Sequence, residues 1–245
     1  MFKTMLVMAA LSATATAHAG GWELSLTVEP IVRGETAHMR LYPYDVDLTG
    51  SQLYFGVGTS LTGTPICPPV MTNCLGLTGP VTLLHSEVAS APNGPVVPIS
   101  PPAGIAATEA YFEAVAFAPV GEMVSGALAQ RIYDRSEVCR IRVEITDIPT
   151  DAVNFPFFDI EENVPGRIGW VDREFTAGET SWTYEVFAPI GQVALFRTWN
   201  MRPTAASPGA TITVTDLDAG VVTLTHHVDG VNGTDVVGAG CVSAN

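Results

Sequence analysis

The sequence has one lysine, Lys3, and every other basic residue is an arginine; together they number 11 against 25 acidic residues, a formal charge of −14. Clustered cations are what draw phosphate backbones and anionic lipid, so nucleic acid and acidic membrane surfaces are excluded as partners. Charged residues of either sign make up only 15% of the chain. Beyond the first residues there is no apolar run of about 18, so no membrane insertion of the mature chain is expected. Neither Cys-x-x-Cys spacing nor a histidine at ligand distance from a cysteine occurs, which removes a zinc site. No segment holds a helical apolar period over three turns. Ala103 to Ala118 comes nearest, but Pro101, Pro102 and Gly104 crowd its start. With 23 glycines and 18 prolines, the composition suits strands and turns.

The start of the chain differs from the rest. Lys3 supplies a positive end, Met5 to Leu11 a short apolar core, and Ala17-His18-Ala19 a small-x-small cleavage pattern. Residues 1–19 therefore read as a secretory signal peptide, with the mature chain beginning near Gly20. The first cysteine is Cys67, so no lipid anchor is expected at the cleavage site. Export makes disulfides the natural state of Cys67, Cys74, Cys139 and Cys241. Four cysteines allow three pairings. The favoured pairing is Cys67–Cys74 and Cys139–Cys241, for which closure entropy gives roughly 2–3 and roughly 4–5 kcal/mol.

Strand signals then recur along the chain. Leu24, Leu26 and Val28 alternate with Glu23, Ser25 and Thr27, the period of a half-buried strand. Pro30 and Gly34 mark a turn. Further strands are expected at Thr36–Leu41, Leu53–Val57, Val81–Val88 (its apolar residues bunched rather than alternating), Val96–Ile99, Tyr111–Phe117 and Val124–Ile132. Texture changes at Tyr133-Asp134-Arg135-Ser136, where a domain boundary is expected. Strands follow at Val138–Thr146, Phe155–Ile160, Ile168–Glu174, Ser181–Phe187, Val193–Trp199, Ala210–Thr215, Val221–Val228 and Asp235–Val242. The expected fold is all-β: two tandem antiparallel β-sandwiches over 20–134 and 135–245, each with a disulfide.

Leu53-Tyr54-Phe55, Cys67-Pro68-Pro69, the run Cys74-Leu-Gly-Leu-Thr-Gly-Pro-Val-Thr-Leu-Leu84 and Tyr111-Phe-Glu-Ala-Val-Ala116 together resemble a module of predicted exported proteins from myxobacteria and neighbouring groups. The resemblance covers residues ~22–132 and implies an immunoglobulin-like sandwich outside the cytoplasm. It implies no catalytic residue. His85 stands where a small residue is usual, and Glu113 where glutamine is common.

Candidate chemistry is sparse. Gly58-Thr-Ser60-Leu-Thr-Gly63 misses the nucleophile-elbow spacing and has no helix after it, so a hairpin loop is the better reading. His226-His227-Val-Asp229 is the densest polar cluster. On a strand, His227 and Asp229 share a face and could hold a metal or orient a general base; two ligands fall short of a metal site, and a strand end is the simpler reading. Asp216 and Asp218, two apart before Gly220, are a fragment of calcium-loop chemistry, or turn residues. Asp45, Asp47, Asp159, Glu161 and Glu162 raise the same question. Calcium is the only cofactor these acids suggest. Trp182 and Tyr184 share a strand face, with Trp170 and Trp199 in neighbouring strands. They form either a sugar-stacking platform or core. Nothing singles out a catalytic pair of carboxylates.

The leading expectation is a non-enzymatic exported protein, secreted or at the cell surface of a Gram-negative bacterium, with the periplasm as the alternative compartment. It would act in binding or assembly with an extracellular protein or polysaccharide. A carbohydrate-binding module in the C-terminal half and a secreted hydrolase are the alternatives.

Overall fold

A computed structural model describes residues 24–43, 46–64, 66–69, 71–92, 94–119, 121–148, 158–163, 171–175, 178–200, 210–227 and 234–242, with backbone alone at 158–163, 171–175, 197–200 and 234–236. The expected signal peptide lies outside the described residues.

Alternating burial builds this molecule. Along Val138–Thr146, Ile141, Val143 and Ile145 are fully buried while Arg140, Arg142 and Glu144 turn away from the core. The first half carries β1 (Leu24–Val28), β2 (Ile31–Val32), β3 (Ala37–Pro43), β4 (Gln52–Ser60), β5 (Thr78–Val88), β6 (Val96–Ile99), β7 (Glu109–Ala118), β8 (Gly121–Val124) and β9 (Leu128–Tyr133). A short 3-10 turn at Arg135–Glu137 leads to β10 (Val138–Thr146), β11 (Phe158–Asn163), β12 (Val171–Phe175) and β13 (Trp182–Pro189). The chain then forms β14 (Val193–Asn200), β15 (Thr211–Asp216), β16 (Val221–His227) and β17 (Thr234–Gly240).

These strands form four sheets, so the all-β expectation holds. A three-stranded sheet runs β1-β3-β6, and a six-stranded sheet runs β2-β9-β7-β4-β5 with β8 paired to β7. Downstream of the 3-10 turn lie two four-stranded sheets, β13-β10-β15-β16 and β12-β11-β14-β17. No described sheet mixes strands from before and after the turn. Among the described residues every strand pairing is antiparallel except β2 with β9.

Each pair of sheets shares one apolar cluster. In the first half Leu26, Met39 and Leu41 meet Leu53, Phe55, Phe112 and Ala114. In the second, Ile141, Val143, Ile145, Ile212 and Val214 meet Ala194, Phe196 and Ala239. Each large side chain buried this way contributes about 1.5–3 kcal/mol relative to exposure.

Two local expectations need correction. The run Val124–Ile132 is two strands, because Gly126 takes a left-handed φ of 74° between β8 and β9. The segment between Pro30 and Gly34 is more than a turn: Ile31 and Val32 leave the first sheet and pair in parallel with Ile132 and Tyr133 of the second.

The sulfurs bond as Cys67–Cys74 and Cys139–Cys241. The second bond joins the start of β10 to the chain just after β17, and so links the two downstream sheets. Two disulfides belong to an oxidising, non-cytoplasmic compartment. Among the described residues, no helix is long and apolar enough to cross a membrane.

Candidate functional site

β7 is buried on both faces. Phe112, Ala114 and Ala116 turn into the shared core, so Glu113 between them turns to the outer face of the sheet, yet it is only 3% exposed. What covers it is the chain just after the disulfide-closed loop, at Gly76 and Leu77. Gly56 and Gly58 on the neighbouring β4 leave a notch there, and Leu77 fills it. A Cβ added at Gly58 would lie 3.2 Å from Leu77 Cδ2.

Carboxylates hold the backbone of the loop and of the residues that follow it. Glu113 accepts the N–H of Gly76 (2.9 Å) and of Leu77 (3.1 Å). On β8, Glu122 accepts the N–H of Thr72 (2.8 Å) and of Asn73 (2.9 Å). The N–H of Leu75 reaches Ile66 O at 2.8 Å across the base of the loop. Burial raises the Glu113 pKa above the ordinary glutamate value, and its two N–H bonds pull it back only in part. For Glu122 the weaker burial also pulls upward, but the bonds from Thr72 and Asn73 outweigh it and lower the carboxyl.

Directly after the loop comes β5, an edge of the six-stranded sheet. Leu83 (58% exposed), Leu84 (38%) and Val88 (59%) lie on it in the open. Its only ionisable residues are His85 and Glu87, which contact each other at 3.0 Å. Pro80 offers no N–H, and a bulge at Leu84 interrupts the register with β4 between Phe55 and Gly56. Both features shorten the pairable part of the edge without covering it.

The residues singled out in the sequence fall differently. Trp182 pairs with Ile145 and Tyr184 with Val143, so both aromatics occupy the core-facing side of β13. They stack at 4.3 Å, half-buried against the second apolar cluster. The Tyr184 hydroxyl is buried with no hydrogen-bond partner among the described residues. Trp170 lies outside the described residues, and only the backbone of Trp199 is described. His227 is exposed on β16, with Nδ1 at 3.2 Å from Thr211 Oγ1; Asp229 lies outside the described residues, as does Asp45. Ser60 Oγ accepts the N–H of Thr62 in a local turn. Asp47 likewise accepts the N–H of Thr49. The side chains of Asp159, Glu161 and Glu162 are not among those described. Among the described residues, no group of three or more His, Cys, Asp or Glu is placed to hold a metal ion.

Asp216 and Asp218 act on the backbone. Buried Asp216 accepts the N–H groups of Asp218 and Ala219 through one oxygen and of Val242 through the other, at 2.9 to 3.1 Å. Asp218 accepts Arg135 Nη2 at 2.6 and 2.8 Å and the N–H of Arg140 at 3.0 Å. Arg135 also stands over the Phe187 ring and donates to Val138 O. On the other side of the 3-10 turn Arg33 pairs with Asp134, and Arg131 with Glu137. A cleft of about 430 Å³ lies here; Arg33 and Asp134, and Arg131 and Glu137, pair across it, and Glu109 accepts the Tyr111 hydroxyl.

The hydrogen bonds from Arg135 lower the Asp218 pKa below 3.8. A lowered carboxyl contributes stability above its ordinary value and loses it as pH falls through the folded one. Both partners are about two-fifths exposed (42% and 40%), so Asp218→Asn is expected to cost under about 1 kcal/mol at pH 7. Urea unfolding at pH 7 and pH 2 checks this: the difference from the parent should vanish in acid.

The sequence left the tasks of Glu113, Glu122, Arg33 and Arg135 unread. The available signal was an acidic residue between two core positions of a strand, opposite a Gly-x-Gly. In comparisons with known proteins, no family model matches this chain and no curated protein matches it either.

Proposed function

We propose that this is a non-enzymatic exported protein of two tandem immunoglobulin-like sandwiches, secreted or held at the surface of a Gram-negative bacterium, that works by binding or assembly. The observation that carries the reading is the uncovered edge strand β5, with Leu83, Leu84 and Val88 exposed on a chain of high negative charge. Exposed apolar edges on soluble proteins mark contact sites. Strand order supports the fold assignment. In the first half the first, third and sixth strands form one sheet and the ninth, seventh, fourth and fifth run in sequence in the other. This order supports reading the two sheets as the A-B-E and G-F-C-C′ strands of an immunoglobulin-like domain. The partner in this reading is an extracellular protein.

A polysaccharide partner at Trp182 and Tyr184 draws less support, since both rings face the core side of their strand. A hydrolase has no residue set to name. Calcium at Asp216 and Asp218 would compete with backbone N–H groups and Arg135 for the same oxygens.

Mature protein labelled at its terminal amine, the sole amine once residues 1–19 are removed, tests the reading on intact cells of a producing bacterium. Saturable binding that Leu83→Asp weakens is the expected result. Binding that never saturates, or that Leu83→Asp leaves untouched, overturns it.

A further inference from the structure

We infer that the occupant of the β5 edge is β5 of a second copy, paired antiparallel about a two-fold axis through Ser86. The inference rests on the proposed binding role of this edge and names the partner.

Backbone polarity comes first. The Ala89 N–H donates to Ser51 O at 2.8 Å, and the register then pairs Glu87 with Leu53 and His85 with Phe55. Bonding alternates along an antiparallel strand, so these odd-numbered residues bond inward to β4. The N–H and C=O of Ser86 and Val88 are left pointing to the open side.

Side-chain complementarity then selects the axis. With Ser86 opposite Ser86, each His85 faces Glu87 of the second copy, and each Leu84 faces Val88 of the second copy. Exposed Leu84 and Val88 cover each other, and the His85 imidazole of each copy meets the Glu87 carboxylate of the other as hydrogen-bond partners. Elsewhere the surface charge of −14 repels a like copy; along β5 the sole acid is Glu87. Pro80 and the bulge at Leu84 end the ladder on one side. The opposite edge of the same sheet is the two-residue β2, too short to accept a strand, so this pairing closes at two copies instead of propagating.

Light scattering over a concentration series, with cysteine cross-linking, tests the inference on the mature chain. Its own cysteines are all disulfide-bonded, so an added thiol is the only one free. In the two-fold pair the Ser86 Cα atoms lie about 5.5 Å apart, within disulfide reach. The Thr82 residues of the two copies are separated by eight residues of strand, about 27 Å. Expected are a mass rising to twice the monomer, an oxidised dimer from Ser86→Cys and none from Thr82→Cys. Ser86→Pro should raise the dissociation constant at least about tenfold by removing an outward N–H. Val88→Glu, at a position 59% exposed, should do the same without touching the β4 ladder.

A monomer at every concentration with no Ser86→Cys dimer overturns the inference. Saturable cell binding by that monomer would leave the functional reading standing with a foreign strand on the edge. A dimer indifferent to Ser86→Pro and Val88→Glu also overturns it. A dimer with these signatures that binds no cells keeps the inference and sinks the functional reading.

Discussion

Replacing Cys139 and Cys241 together by alanine should lower the unfolding free energy by about 4–5 kcal/mol. The bond closes a loop of 102 residues in sequence, so breaking it releases a large ensemble of unfolded conformations. Cys139 is also 4% exposed within the second apolar cluster, which adds a packing loss. Urea unfolding of the double variant should show an earlier midpoint and a steeper slope, because the uncrosslinked chain exposes more surface. The matching change at Cys67 and Cys74, separated by seven residues, should cost only about 2–3 kcal/mol. If the long-loop variant lost less than the short-loop one, packing rather than closure would be holding the second half.

The second large effect centres on Glu113. Glu113→Ala should cost about 2–3 kcal/mol, because the N–H groups of Gly76 and Leu77 lose their acceptor where water is largely excluded. Glu113→Gln behaves differently: its amide oxygen still accepts one of the two N–H groups, the other is left facing the NH2, and no charge is buried. The sign with pH follows from the raised pKa. Its favourable contribution is complete below the unfolded glutamate value of 4.5 and is lost as pH rises through the folded value. The glutamine variant escapes that loss, so it should gain on the parent between pH 4 and pH 8. Parallel stability profiles for the two proteins would refute the account.

Strands were legible where a period of two runs long enough to be seen. Ile141, Val143 and Ile145 announced β10 in this way. Ile31–Val32 could not be read, since two residues have no period and their partners lie a hundred positions downstream. The bunched apolar residues of Val81–Val88 carried more information than a failed alternation: the bulge at Leu84 shifts the faces, and the edge leaves Leu83 and Val88 uncovered. The i, i+2 spacing of Trp182 and Tyr184 places them on a common face without saying which one; pairing with Ile145 and Val143 decides it. The anchoring of the loop was illegible for a different reason. Glu113, Gly56, Gly58 and Leu77 meet only when a distant loop folds over the outside of a finished sheet.

Pulled by its ends, the molecule should answer tension differently in its two halves. In the first half β2 and β9, close to its two ends, run parallel. Tension along them loads their hydrogen bonds together in shear instead of opening them one at a time. In the second half the force passes from Cys139 to Cys241 through sulfur. The residues between them, about 350 Å of chain if drawn straight, are never put under load while that bond lasts. Stretching should therefore lengthen the first half alone, and a reductant would lend the molecule a second, longer stage of extension.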